Sequence, residues 1–277
     1  MSVFVIGEMA SAHDGDLYKA KQLVDVAVDA GCNAVKVQFW SDADRLADRR
    51  KVPQYYRNIY KQYQIPVEWL SILKDYCGDR IEFMATCFLP EDVKTVSPFV
   101  KRFKVSAFES HAIDLIKETI EYADIDDRTM IVSVNEIKGI SPWLISNIGH
   151  KDVIMHTVTA YPASLERIKL SSMISHGAKF YAQNGSSPRM GYSDHSGDLD
   201  MGAYAVCAFA GMIEVHMALI NTDALNPDGG HFAHRPVALK QYVNNVRKAE
   251  MAFGLHKEDV VLSKSEREMK KYHVVTA

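Results

Sequence analysis

Two lysines, Lys36 and Lys104, and two histidines, His195 and His216, interrupt runs that otherwise read as buried strands. The runs alternate: Val35-Lys36-Val37-Gln38-Phe39, Phe103-Lys104-Val105-Ser106, Ile131-Val132-Ser133-Val134-Asn135 and Ile213-Glu214-Val215-His216-Met217. Successive side chains of a strand point to opposite faces. The apolar set therefore shares one face, and Lys36, Gln38, Lys104, Ser106, Ser133, Asn135, Glu214 and His216 share the other. Glu8 closes an earlier run of this kind, Thr86 lies late in another, Thr157 and Thr159 late in a third, and Ser193-Asp194-His195 closes a fourth.

Those residue types have a definite chemistry. A lone lysine at a strand end ordinarily snorkels to water. Two buried ammonium groups at one mouth are costly unless anions compensate them. Glu8, Glu109 and Glu214 are the internal candidates, too few nearby to account for both lysines as structural pairs. The hydroxyls of Thr86, Ser133, Thr157 and Ser193 suit a bound phosphate better than a salt bridge. A lone histidine is usually a satisfied core group, and histidine pairs also occur as inert hydrogen-bonded partners. Two that end neighbouring strands can also share a metal ion. With Glu214 and Asp228 nearby, such a site suits Mn2+, Mg2+ or another divalent ion. His13, His111, His231 and His234 fall in connecting loops and are weaker candidates. His156 and Cys87 have the opposite parity and read as structural. No G-x-S-x-G elbow is present.

The elements that must position these groups alternate along the whole chain. Strands are expected at Val3–Glu8, Ala34–Phe39, Ile81–Phe88, Arg102–Ala107, Thr129–Asn135, Val153–Thr159, Met190–Asp194 and Met212–Leu219. Helical spacing occupies Leu17–Ala30, Val67–Tyr76, Ala112–Tyr122, Leu165–Ser175, Met201–Ala210 and Val237–Phe253, with shorter stretches at Pro90–Val96 and Ser141–Ile148. Gly31, Gly177, Gly211 and Gly254 stand where C-terminal caps belong. Eight strands, each followed by a helix, predict an α/β fold, a single-domain (β/α)8 TIM barrel. An open doubly wound sheet is the alternative, but the first turn, EMASAHDG, lacks its glycine-rich phosphate loop. Ser41–Pro66 is a long insertion on a strand-to-helix connection, so it should overhang the face where barrel enzymes build their sites. Its aromatic stretch Tyr55–Tyr63, with Arg57 and Lys61, fits a lid or an interface segment.

Composition narrows the partners. The chain has 277 residues, 47% of them hydrophobic, and a net charge of −3. Neither nucleic acid nor an anionic membrane is implied. The four cysteines are scattered, which fits a reducing compartment. No signal peptide and no apolar run of membrane-spanning length is evident, so the expected location is cytoplasmic.

These positions carry a family likeness. Val5-Ile-Gly-Glu-Met-Ala-Ser-Ala-His-Asp-Gly-Asp16 resembles the opening of the sialic acid synthases, and Ala30-Gly-Cys-Asn-Ala-Val-Lys-Val-Gln-Phe39 is similar to their second strand. Phe103-Lys-Val-Ser, Ala160-Tyr-Pro162, Gly191-Tyr-Ser-Asp-His195, Glu214-Val-His216 and Asn226-Pro-Asp228 follow in the family's order. The resemblance implies an enzyme that condenses phosphoenolpyruvate with a sugar aldehyde, such as N-acetylmannosamine, giving a 3-deoxy-2-keto acid sugar and phosphate. It implies that His195 and His216 hold a divalent cation, commonly manganese, with Mg2+ and Co2+ as alternatives. It assigns Lys36, Lys104, Thr86, Ser133, Thr157, Ser193 and Tyr161 to phosphoenolpyruvate, and Glu8, Gln38 and Asp228 to the sugar. Glu109 and Glu214 would sit beside the reacting carbons, and the subunit would form a homodimer.

The chain also departs from that family. Thr159 replaces an asparagine before the strand-six tyrosine, Ala107-Phe108-Glu109 replaces a glycine-rich run, and Ala12 replaces an asparagine before the first-loop histidine. The small C-terminal antifreeze-like domain would begin near Lys271–Ala277, where the sequence ends, so an acceptor smaller than or different from N-acetylmannosamine is expected. A metal-dependent aldolase acting on a phosphorylated substrate and a non-catalytic sugar-phosphate-binding barrel are the competing readings.

Overall fold

A computed structural model describes residues 2–135, 139–254 and 263–269. Eight parallel strands close into a barrel: β1 (Phe4–Glu8), β2 (Ala34–Phe39), β3 (Glu82–Cys87), β4 (Arg102–Val105), β5 (Thr129–Val134), β6 (Val153–Thr157), β7 (Arg189–Asp194) and β8 (Met212–His216). Each pairs with its sequence neighbour, and β1 pairs with β8. The open-sheet alternative is thereby excluded.

Strand parity divides the apolar residues into two bodies. Helix-facing side chains such as Val5, Val35, Val37, Phe83, Cys87, Val105, Val132 and Val215 pack with the helices in the large outer core. Ile6, Ala34, Met84, Ile131, Val153, Met155 and Met212 form a separate cluster inside the barrel. That inner cluster is the floor. One step further along the same strands come Glu8, Lys36, Thr86, Ser133, Thr157, Ser193 and Glu214, all buried. Gly191 belongs to the floor because the barrel narrows there: a Cβ would lie 2.9 Å from the Met212 carbonyl oxygen and 3.1 Å from Met155.

The helices have local causes. Leu17–Ala30 starts where the Asp16 carboxylate accepts the Tyr18 amide and ends at Gly31, whose φ of 83° allows two capping bonds. Pro236–Phe253 likewise ends at Gly254. Two expected caps are wrong. Gly177 lies inside the helix Ser171–Asn184, and Gly185, in the left-handed conformation, is the cap. Met201–Cys207 ends before Gly211, with Phe209 taking the left-handed conformation instead. The single helix expected over Leu165–Ser175 is two, Leu165–Ile168 and Ser171–Asn184, separated by left-handed Lys169. Several strands are shorter at their C-terminal ends than expected, so Ser106 and Thr159 stand on loops just beyond the sheet, while β7 ends at Asp194 as expected and His195 follows it.

The Ser41–Pro66 insertion holds two helices, Ala43–Arg50 and Gln54–Tyr63. It packs on the barrel through its own small core of Trp40, Leu46, Tyr63, Phe88 and Leu89. Lys271–Ala277, where the antifreeze-like linker was expected, lies outside the described residues. Among the described residues no helix is long and apolar enough to cross a membrane.

Candidate active site

A pocket opens above the floor at the C-terminal mouth. Lys36, Lys104, Thr86, Ser133, Thr157, Ser193, His195, Glu214, His216, Glu8, Gln38 and Tyr161 all line it. Twelve of the fourteen candidate site residues thus stand together. Asp228 stands at the edge, and Glu109 faces elsewhere.

At the base the charges pair. Lys36 forms a close ion pair with Glu8, donates to Thr86 Oγ1 at 2.7 Å and lies 3.6 Å from Glu214. Lys104 lies 3.4 Å from Glu214, which also accepts from the Ser193 hydroxyl at 3.1 Å. The scarcity of carboxylates expected from the sequence is thus corrected: two lysines meet two carboxylates, and the partner of Lys104 is Glu214. Burial opposes the ionised form of Glu214, but Lys104 and Lys36 hold its carboxyl well below the usual range. Burial pushes Glu8 up despite Lys36. Burial also lowers the Lys104 ammonium, which Glu214 only partly restores. Ser133 Oγ has no hydrogen-bond partner, an orphan donor inside a charged pocket.

The two histidines form the opposite wall. Their ring centroids are 5.2 Å apart. His195 Nδ1 lies 2.6 Å from the Val158 carbonyl, which makes that nitrogen the protonated one and leaves Nε2 bare. His216 Nδ1 lies 3.8 Å from Asp228 Oδ1. Burial drives both imidazoles down to about 3, so both are neutral near pH 7. The Tyr161 ring packs 4.2 Å from His195, centroid to centroid, and Phe232 closes against both Tyr161 and His216.

Two groups missed by the sequence reading set this geometry. Ser11 donates its backbone amide to Asp228 Oδ2 at 3.1 Å, and its hydroxyl lies 2.5 Å from the same oxygen. Asn226 Nδ2 returns a bond to the Ser11 carbonyl at 2.7 Å. These contacts latch the first and last loops across more than 200 positions of sequence, a distance no spacing rule can see. Arg50, from the insertion, donates to Glu109 Oε1 at 2.7 Å and to the Tyr60 hydroxyl at 2.9 Å. Ser106 bonds the other Glu109 oxygen. Glu109 is therefore a buried anchor for the insertion in this structure, not a group facing the pocket.

The remaining candidates stand apart. His13 is buried edge-on against Trp69 and Tyr63 and accepts the Gly15 amide. His234 packs on Tyr242, and His111 contacts the Gly139 carbonyl. His156 lies 2.5 Å from the Ile168 carbonyl and packs with His176, in the structural role its parity implied. Cys87 is buried in the outer core, its thiol pushed well above the ordinary range by burial.

Residues 23–258 match the model of the NeuB family. The chain belongs to the NeuB family. This NeuB-family chain is 31% identical over 269 residues to the spore coat polysaccharide biosynthesis protein SpsE of Bacillus subtilis, covering 90% of this chain and 68% of that protein. It is 27% identical over 276 residues to an N,N'-diacetyllegionaminic acid synthase of Legionella pneumophila, covering 92% and 74%. The N-acetylneuraminic acid synthetase structure from Leptospira borgpetersenii superposes with a TM-score of 0.81 over 98% of this chain and 91% of that one. At 23% identity that likeness shows the fold alone. The family and the fold expected from the sequence both stand, and with them an enzyme of the sialic acid synthase type.

Proposed function

We propose that this chain condenses phosphoenolpyruvate with the aldehyde of an amino sugar, forming a 3-deoxy-2-keto acid sugar and inorganic phosphate. The observation that carries the reading is the convergence of buried Lys36 and Lys104 with four hydroxyls in one pocket, opposite two neutral imidazoles. Bringing an anion of several charges into that pocket is favourable because the lysines are already dehydrated and fixed. Ser133, unpartnered, can turn its hydrogen to the phosphate or carboxylate.

The bond changes balance simply. The methylene carbon of phosphoenolpyruvate attacks the aldehyde carbon, whose oxygen takes a proton. Water adds at the adjacent carbon, and the carbon–oxygen bond to phosphate breaks to leave the ketone. Lys36 and Lys104 offset the negative charge that gathers on the departing phosphate. Glu214, held ionised by the lysines, stands beside the carbon that becomes electron-poor.

The histidines fit a divalent cation. Both present neutral rings, Val158 fixes the tautomer of His195, and His216 Nδ1 is buried without a hydrogen bond while Asp228 faces it. Among the described residues no third carboxylate, cysteine or histidine joins them as a ligand cluster, so water or substrate oxygen would complete the set. His195 and His216 would hold the ion, and the chemistry it supplies when bound is polarisation of the acceptor carbonyl. Manganese is the proposed ion, with Mg2+ and Co2+ as alternatives.

The relatives' names support an acylated amino sugar as acceptor. The test is a phosphate-release screen: phosphoenolpyruvate and Mn2+ against a panel of aldoses with and without acetamido groups. Release that requires both substrates is expected. Binding of phosphoenolpyruvate without release from any aldehyde would overturn the synthase reading, and aldol cleavage without it would favour the aldolase.

A further inference from the structure

We infer that Arg167 builds a second phosphate-binding position beside the catalytic pocket, an inference that rests on the synthase reading for the source of the phosphate. A concavity of about 770 Å³ adjoins the pocket and is lined by Thr157, Thr159, Ser164 and Arg167, with Val158 and Pro162 as its apolar wall. Thr157 and Thr159 line both spaces, so one molecule can reach across. Thr157 Oγ1 also lies 3.3 Å from His195 Nδ1, which sets the second space on the aldehyde side of the pocket.

Charge decides what the space would take. Arg167 is exposed, and among the described residues its guanidinium has no hydrogen bond or ion pair. The arginines of the insertion differ: Arg49 pairs with Asp114, Arg50 with Glu109, and Arg57 with Asp44 and Asp48. Among the described residues no carboxylate lines the Arg167 space. An unpaired guanidinium offers a planar fork of donors that matches phosphate oxygens, and the hydroxyls of Thr159 and Ser164 add two more donors. Neutral sugar hydroxyls would draw no advantage from that positive charge, and a metal ion would find only repulsion.

Two sources share this chemistry. One is the orthophosphate released by the reaction. The other is a phosphate carried at the far end of the acceptor. Arg167→Ala separates them. If the site takes released phosphate, the inhibition constant for orthophosphate rises about tenfold while the KM for phosphoenolpyruvate is unchanged. If it takes the acceptor's phosphate, kcat/KM for mannose 6-phosphate relative to mannose, and for erythrose 4-phosphate relative to erythrose, falls about tenfold. Arg167→Lys should recover part of either loss, since charge is kept and the fork is not. If both quantities match wild type in a variant of unchanged melting temperature, the proposal is overturned. Orthophosphate calorimetry on the resting protein decides the matter even if no aldehyde is turned over. Wild type should then show a second, weaker site that Arg167→Ala lacks, and identical isotherms would refute it.

Discussion

Lys104 poses a question of balance between ligand and fold. Its ammonium is buried, lowered by that burial, and shares Glu214 with Lys36. In Lys104→Met the stem's packing is largely kept and Glu214 retains Lys36 at 3.6 Å, so the resting protein should melt close to wild type. Phosphoenolpyruvate loses a charge-assisted contact of about 1.5–3 kcal/mol, so its dissociation constant should rise about tenfold or more. Thermal melting with and without phosphoenolpyruvate checks both halves. A variant that melts far below wild type yet keeps its full ligand-induced shift would return Lys104 to a purely structural role. His13 gives a pH prediction. Burial lowers it from 6.5 to about 4. Between those values the unfolded chain binds a proton that the folded chain refuses, so stability should fall as pH drops through that window and level off above it. His13→Gln should remove on the order of 3 kcal/mol of that pH-dependent loss, leaving the shares of His195, His216 and His234 in place. Urea unfolding at pH values spanning the window measures the difference, and parallel curves for the two proteins would exclude it.

At the scale of elements, the insertion is held by a contact whose two halves lie 59 positions apart in the chain. Arg50 lies over the rings of Tyr60, Phe88 and Phe108 and pairs with buried Glu109. Removing the guanidinium strands a carboxylate that is nearly dehydrated. Arg50→Ala should therefore destabilise the protein by about 3 kcal/mol, and adding Glu109→Gln should restore much of it. Chemical denaturation of both single variants and the double variant tests this coupling; strictly additive losses would show that Arg50 acts through packing alone. Glu109 shows why a residue's role does not follow from its place in a motif. The loop after β4 turns it toward the insertion, and its parity within the strand pattern carries no information once the strand has ended at Val105.

For the whole molecule, the parallel pairing of β7 with β8 makes His195 and His216 neighbours, and closure sets β8 beside β1 and its Glu8. The purified protein is expected to bind one divalent ion per chain, counted by elemental analysis, with turnover lost on chelation and regained on adding Mn2+. His195→Ala and His216→Ala should each lose both metal and turnover while keeping phosphoenolpyruvate binding at the lysines. Full metal occupancy in the double alanine variant would remove the assignment.

The barrel, its strand order and the contents of its mouth were legible in the sequence, because a period of two sorts side chains onto faces whatever the rest of the chain does. Lys36, Thr86, Lys104, Ser133, Thr157, Ser193, Glu214 and His216 were all placed on that ground. Strand ends were read too long, since apolar alternation continues for a residue or two after hydrogen bonding stops. Only the tertiary structure decided who pairs with whom: Glu214 with Lys104, Arg50 with Glu109, Ser11 with Asp228. Those choices depend on loop paths and on which charges must be neutralised together in a dry interior, and long-range electrostatic complementarity leaves no periodic trace along the chain.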